Sequence, residues 1–271
     1  MATENKSKLL LIDADFILWT ATMGNKIFDD AGGPIKEDDK FIYTPKTESE
    51  VYECADSIIA NMFTYTSPNY YIGYLGNSRS FRYDYYPEYK GNRKDKVLPP
   101  YYNELKDYLN IKWNFILLNN TLEADDAVNI LKNRYKDQYD IIIATTDKDL
   151  IKSITGTYLN TKNFEVIKTS NAEANRFFWE SMVCGDTADH IKGLIGRGQK
   201  FATKILDLAD ELHTNYAMEI LNQYIIHYKD ELTGIDEFYK NYRCLKILDE
   251  SPLLDIPVLN KVTVERAGVE W

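Results

Sequence analysis

Lys8-Leu9-Leu10-Leu11-Ile12-Asp13-Ala14-Asp15 is an apolar run that ends in acid. Its length suits a strand buried on both faces. The same grammar recurs downstream. Tyr70–Leu75 predicts a second strand, Asn114–Leu118 a third and Ile141–Ala144 a fourth. Between them, Val51, Ala55, Ile58, Ile59 and Met62 fall at helical spacing over Glu48–Phe63, with Thr47 or Ser49 as a cap. Pro99–Tyr108 reads as a helix, as does Glu123–Tyr135, where Ala127, Ile130 and Leu131 form the inner face. Strands alternating with helices imply an α/β fold, a central mostly parallel sheet with helices on both faces in the Rossmann-like manner. Residues Asn25–Thr44, rich in Gly, Asp and Lys, read as a loop or hairpin. Past about Asn171 the pattern turns helical, so we divide the chain near Phe178, into an α/β domain at 1–177 and a helical region at 178–271.

The chain has 271 residues and a net charge of −10, with 44% hydrophobic and 27% charged residues. These are the proportions of an ordinary water-soluble domain. No apolar run approaches the ~20 residues that span a bilayer. Met1–Lys8 lacks the apolar stretch of a secretory signal. Cys54, Cys184 and Cys244 are scattered, no Cys-x-x-Cys occurs, and there are 3 histidines, which argues for a reducing cytoplasmic setting and against structural zinc. The negative total weighs against a nucleic-acid partner, but the cations are clustered. One group is Arg79, Arg82, Lys90, Arg93, Lys94 and Lys96, the other Lys192, Arg197, Lys200 and Lys204. Local charge sets an electrostatic footprint.

In an open parallel sheet, ligands gather beyond the carboxyl ends of the strands. Asp13 and Asp15 follow the first strand, Glu123, Asp125 and Asp126 the third, Asp147 and Asp149 the fourth, and Asp186 and Asp189 head the helical region. A lone acid after a strand is commonly a helix cap, and Asp15 and Asp126 invite that reading. The repetition does not. Carboxylates gathered in one place repel unless hard divalent cations such as Mg²⁺ or Mn²⁺ neutralise them. Two such ions can assist in-line displacement at phosphorus without His or Cys. Spacing alone leaves several phosphoryl-transfer and phosphatase folds open.

Longer motifs narrow the choice. Glu123-Ala124-Asp125-Asp126 resembles the E-A-D-D of 5′–3′ exonucleases and flap endonucleases, and Thr146-Asp147-Lys148-Asp149-Leu150 their T-x-D-K-D-L. Phe81-Arg82, followed by Tyr86-Pro87-Glu88-Tyr89-Lys90-Gly91-Asn92-Arg93, is similar to their F-R…Y-P-E-Y-K-x-N-R. Gly185-Asp186-Thr187-Ala188-Asp189-His190-Ile191-Lys192-Gly193 resembles their G-D-x-x-D-N-I-x-G. The motifs run in the family's order from about Leu9 to Lys204, and the Asp13-Ala14-Asp15 start looks most like the phage members. The resemblance implies a PIN-like catalytic domain and a helix-hairpin-helix-type module. It implies two Mg²⁺ or Mn²⁺ ions on Asp13, Glu123, Asp125, Asp147, Asp149, Asp186 and Asp189, with Asp126 in the same motif. One departure stands out: the family has an Asp just after the second strand, where this chain reads Tyr74-Leu75-Gly76-Asn77-Ser78-Arg79; Asn77 is the nearest stand-in, and Leu75 or Tyr74 are the other candidates for that position.

The segment at about 79–110 would form the family's arch. Its cations alternate with Tyr83, Tyr85, Tyr86 and Tyr89, a mixture suited to phosphates and unpaired bases. Arg82, Lys90 and Arg93 match basic positions for which the resemblance implies contact with the scissile phosphate. Arg79, Tyr86, Tyr89 and Lys94 would assist on the DNA. Gly193, Gly196 and Gly198, with Lys192, Arg197, Lys200 and Lys204, would grip duplex backbone, with K⁺ at the hairpin. Without the motifs, the arch is a tyrosine-rich surface loop and the hairpin an ordinary helix-to-helix turn. Trp19, Trp113 and Trp179 suit packing, and His190 a local structural role. The expected protein is a monomeric metal-dependent 5′ nuclease. It acts on DNA bearing a 5′ end, flap or nick, also on RNA/DNA hybrids, in phage replication or repair within the host cytoplasm. The rivals are a DNA-end-binding protein with weakened catalysis, motivated by Asn77, and a ribonuclease on a related carboxylate scaffold.

Overall fold

A computed structural model describes residues 6–263, apart from 28, 30–32, 38–39, 78 and 94–95. In chain order its elements are β1 (Lys8–Asp13), α1 (Asp15–Thr22), β2 (Asn25–Lys26), β3 (Lys36–Glu37), β4 (Lys40–Phe41), β5 (Tyr43–Thr44), α2 (Glu48–Thr66), β6 (Tyr70–Leu75), α3 (Arg82–Tyr85), α4 (Tyr102–Trp113), β7 (Ile116–Leu117), α5 (Ala124–Tyr135), β8 (Asp140–Thr145), α6 (Lys148–Ser153), β9 (Gly156–Asn160) and β10 (Glu165–Thr169). Four helices follow, α7 (Asn171–Cys184), α8 (Gln199–Leu212), α9 (Tyr216–Tyr228) and α10 (Glu231–Leu245), then a short β11 (Asn260–Lys261).

Among the described residues, the main sheet has seven strands, in the order β10-β9-β8-β1-β6-β11, with β7 also on β6. Pairings among β7, β6, β1, β8 and β9 are parallel. The central strand β1 shows why. Leu9 and Leu11 enter one core with Val128, Leu131 and Leu150, from α5 and α6. Leu10 and Ile12 enter the other with Ile17, Ile59, Phe63 and Trp113, from α1, α2 and α4. All four strand residues are fully buried. Successive strand side chains point to opposite faces, so an unbroken apolar run requires helices on both.

The expected elements appear with shifted edges. The helix expected over Pro99–Tyr108 begins at Tyr102 and continues to Trp113, because Tyr101 sits at φ 63° and Asn114 ends the helix at φ 52°. That left-handed residue shortens the strand expected at Asn114–Leu118 to Ile116–Leu117. The loop or hairpin expected at Asn25–Thr44 contains two small ribbons, β2 with β5 and β3 with β4. The antiparallel additions β10 and β11 have half-exposed, mixed-polarity sequences that carry no buried-strand signal.

The helical region has its own apolar cluster, including Met182, Leu194, Leu206, Ile220, Tyr224 and Phe238. Position 178 lies inside α7. Beyond Leu245 the chain returns to the α/β unit, where Ile247 and Leu254 join the β1–α5 core. Among the described residues, no helix is long and apolar enough to cross a membrane.

Candidate active site

The acids converge. A cleft of about 670 Å³ at the carboxyl ends of β1, β6 and β8 is lined by Asp13, Asp15, Glu123, Asp125, Asp147, Asp149, Asp186 and Asp189. A smaller adjoining cleft of about 340 Å³ shares Asp125, Asp147, Asp149, Asp186 and Asp189. Local chain geometry aims each group. Asp13 ends β1 and accepts a hydrogen bond from the Thr145 hydroxyl at 2.8 Å. That hydroxyl also accepts from the Asp147 N–H at 3.0 Å, tying β1 to β8. Asp147 caps α6 by accepting from the Asp149 N–H at 2.7 Å. Glu123 and Asp126 form a reciprocal capping box at the start of α5, with Asp125 in its first turn.

Asp186 and Asp189 sit on a closed loop whose ends meet through an Asp186–Ile191 bridge. Two glycines permit it. A Cβ at Gly185, φ 70°, would lie 2.2 Å from the Ile191 carbonyl oxygen, and one at Gly193, φ 61°, would lie 2.3 Å from the Gly185 nitrogen. No other residue type fits both the left-handed backbone and the close approach.

The electrostatics fit a cation site. Burial, then the charges of Asp15 and Asp147, push the Asp13 carboxyl up to about 7. Burial, then Asp147 and Asp186, raise Asp149 to about 6. Burial first also raises Asp125 and Asp189. Glu123 goes the other way: burial favours its neutral form, but Arg82 and Lys90 outweigh that. Ligand atoms of Glu123, Asp125 and Asp126 lie within 4.8 Å of one another. An all-oxygen set that repels itself so strongly matches hard divalent cations.

Several expected roles change in the folded chain. Asp126 is fully buried and accepts from both terminal nitrogens of Arg82, at 2.7 and 2.9 Å, and from the Leu248 N–H at 2.9 Å. With a further bond from the Glu123 N–H at 3.3 Å, its acceptor positions are largely taken within the protein, although it stands among the three acids whose oxygens could hold a cation. Arg82 is 1% exposed. Its remaining donors go to Glu123 at 2.7 Å, to the Cys244 carbonyl at 2.9 Å and to the Lys246 carbonyl at 3.0 Å. The guanidinium links α5 to the end of α10, and its N–H donors are all engaged within the protein. Tyr86 and Tyr89, expected as stacking platforms, are buried with Ile191 and Cys244. The Tyr89 hydroxyl bridges Glu123 and Asp189, at 2.9 and 3.0 Å.

Lys90 and Arg93 do reach the cleft. Lys90 pairs with Glu123 and lies 3.8 Å from Asp189, while Arg93 pairs with Asp189 at 2.5 Å. Arg79 is exposed, and Lys94 lies outside the described residues. On the helical side, Lys192 pairs with Glu88 at 2.9 Å, and the Arg197 guanidinium sits 4.6 Å from the Phe201 ring centre. Gly196, at φ 74°, makes the turn, Gly198 precedes α8, and Lys200 and Lys204 are exposed on that helix. Asn77 lines the cleft, but its amide nitrogen donates to the Asn120 carbonyl at 3.3 Å. Two cleft residues carry more weight than sequence reading gave them: Asp15, and the Gly76 beside it. The alternation Asp13-x-Asp15 was the available signal.

Comparison with known proteins agrees with this arrangement. Residues 8–178 match the family described as 5′-3′ exonuclease, N-terminal resolvase-like domain. The chain is 28% identical over 181 residues to a DNA polymerase I of Caldicellulosiruptor bescii, covering 59% of this chain and 21% of that protein. It is 26% identical over 179 residues to a 5′-3′ exonuclease of Mycoplasmopsis pulmonis, covering 62% of this chain and 60% of that one. The match thus spans less than two thirds of either relative. In fold, the chain resembles T5 5′-exonuclease with bound divalent zinc ions (TM-score 0.62, 17% identity, 88% of this chain and 89% of that one). It also resembles the catalytic core of Rad2 in complex with a DNA substrate (TM-score 0.51, 14% identity, 95% and 84%). The family match covers more than half of the sequence and contains Asp13, Glu123, Asp125, Asp147 and Asp149; the chain belongs to the 5′-3′ exonuclease family.

Proposed function

We propose that this protein is a structure-specific 5′ nuclease that hydrolyses DNA phosphodiester bonds at or near 5′ ends, flaps or nicks. The observation that carries the reading is the convergence of Asp13, Glu123, Asp125, Asp147, Asp149, Asp186 and Asp189 on one cleft edged by Lys90 and Arg93. These carboxylates would hold two divalent cations, Mg²⁺ or Mn²⁺. When bound, such ions lower the pKa of an attacking water and stabilise the leaving oxygen. Lys90 and Arg93 are the phosphate partners of this reading. Their charges rest on Glu123 and Asp189 and can transfer to an incoming phosphate once cations neutralise those acids.

The α/β unit would cut, and the helical region from α7 to α10 would hold duplex. There, the Gly193–Gly198 turn, with K⁺ as a candidate ion, and Lys192, Arg197, Lys200 and Lys204 meet backbone phosphates without reading sequence. Arg79 and Lys94 extend the positive edge of the arch. We assign the protein to phage DNA replication or repair in the host cytoplasm, acting as a monomer, with RNA/DNA hybrids as further substrates. The non-cleaving rival rested on the missing acid near Asn77, and the density of carboxylates in the cleft weighs against it. The test is a set of 5′-labelled flap, nicked and blunt duplexes with Mg²⁺ or Mn²⁺. Cleavage near the 5′ end that Asp147→Ala abolishes, with DNA binding retained, is expected. Binding without cleavage by the wild-type protein would overturn the reading.

A further inference from the structure

Asp15 is the first residue of α1, and an acid there ordinarily serves the free N–H groups of its own helix. Asp15 does something else. Its Oδ1 accepts from the N–H of Gly76, 61 residues away and just past β6, at 2.8 Å. Among the described residues, Oδ2 accepts no hydrogen bond. The carboxylate lines the same cleft as Asp13, Glu123, Asp125 and Asp147.

Gly76 makes room for it. A Cβ at that position would lie 2.5 Å from Asp15 Oδ2, and the backbone there is not left-handed, so the missing side chain answers to space. The loop is also held in place: Lys106 Nζ donates to the Gly76 carbonyl at 2.7 Å. A carboxylate with one oxygen fixed by a backbone N–H and the other open to an acidic cleft has the outer support that orients a metal ligand. Asn77, one residue further on, is exposed and turned to Asn120.

We propose that Asp15, seated by Gly76, is a further cation-binding carboxylate of this cleft and supplies the charge on its β6 side that Asn77 does not. The assignment rests on the metal-dependent reading above. Mn²⁺ titrated into metal-free protein, followed by calorimetry and by electron paramagnetic resonance of the bound ion, tests it without reference to cleavage. Asp15→Asn should weaken at least one Mn²⁺ by ~10-fold or more, the lower bound for groups that merely orient a ligand. Gly76→Ala leaves every charge in place but displaces the carboxylate, and should weaken the same ion. Adding Asn77→Asp to Asp15→Asn should not restore it.

Mn²⁺ binding by Asp15→Asn indistinguishable from wild type, or restored by Asn77→Asp, would overturn the assignment alone. If Asp15→Asn does not fold, as judged by circular dichroism, Gly76→Ala decides: unchanged Mn²⁺ binding rejects the proposal. Wild-type protein that binds no Mn²⁺, or an Asp147→Ala variant that binds it normally, would reject the metal-dependent reading and this assignment with it.

Discussion

Replacing Arg82 by Met removes the clamp between the two halves of the molecule. The folded chain loses the paired contacts to Asp126 at 2.7 and 2.9 Å, the bond to Glu123 at 2.7 Å, and those to the carbonyls of Cys244 and Lys246. Met occupies much of the volume, so little of the cost is a cavity. Most of it is the stranded charge of Asp126, fully buried with only backbone N–H groups left to receive it. Removing one member of a buried ion pair costs about 3–5 kcal/mol. That is a large share of the ~5–15 kcal/mol by which a typical domain is stable. Urea unfolding in EDTA is the assay. At a slope of roughly 3 kcal/mol per molar, the midpoint should fall by about 1–1.7 M. The double variant Arg82→Met/Asp126→Leu should recover much of the loss, because an apolar pair of suitable volume can replace a buried ion pair at little cost. A single variant within ~0.5 kcal/mol of wild type, the range of an ordinary surface change, would refute the clamp. Coupled with lost cleavage, that result would return Arg82 to the substrate.

The cleft also predicts how stability depends on pH. The Asp13 carboxyl at about 7, against an ordinary 3.8, and Asp149 at about 6 mean that the folded chain binds protons the unfolded chain has already released. In EDTA, stability should therefore fall as pH rises from about 4 to 7, by on the order of a few kcal/mol, partly offset by the lowered Glu123 carboxyl. Thermal unfolding at pH 5 and pH 8 checks this: the loss at pH 8 should shrink on adding Mg²⁺, and a flat or rising profile in EDTA would contradict the cluster. Lys90→Met should raise Mn²⁺ affinity, because an ammonium no longer competes for Glu123, while lowering cleavage of a flap substrate by about 10²–10³-fold, as for other preorganised charge stabilisers. Unchanged cleavage would show that Lys90 serves only the cation-free fold.

The amino-acid sequence by itself determined the two-faced sheet, since Leu9–Ile12 and Ile141–Ala144 are too short and too apolar to be anything but strands covered on both sides. It also determined where the acids gather, because turns that follow parallel strands all open at one end of the sheet. That Lys90 and Arg93 reach this cleft was legible because their motif is contiguous in the chain. What only the tertiary structure decided was how each charge is used. Arg82 and Asp126 read as active-site groups in their motifs, yet packing α10 against α3 buries them together, and a charge inside the protein must find its opposite. Tyr86 and Tyr89 read as exposed aromatics until Ile191 and Cys244 cover them. Asp15 read as a helix cap, because its partner Gly76 lies just past β6 and no local pattern foretells a contact across 61 residues. Chain-local spacing places a side chain on an element. Desolvation, which depends on what packs against that element, decides whether its charge faces a ligand or a neighbour.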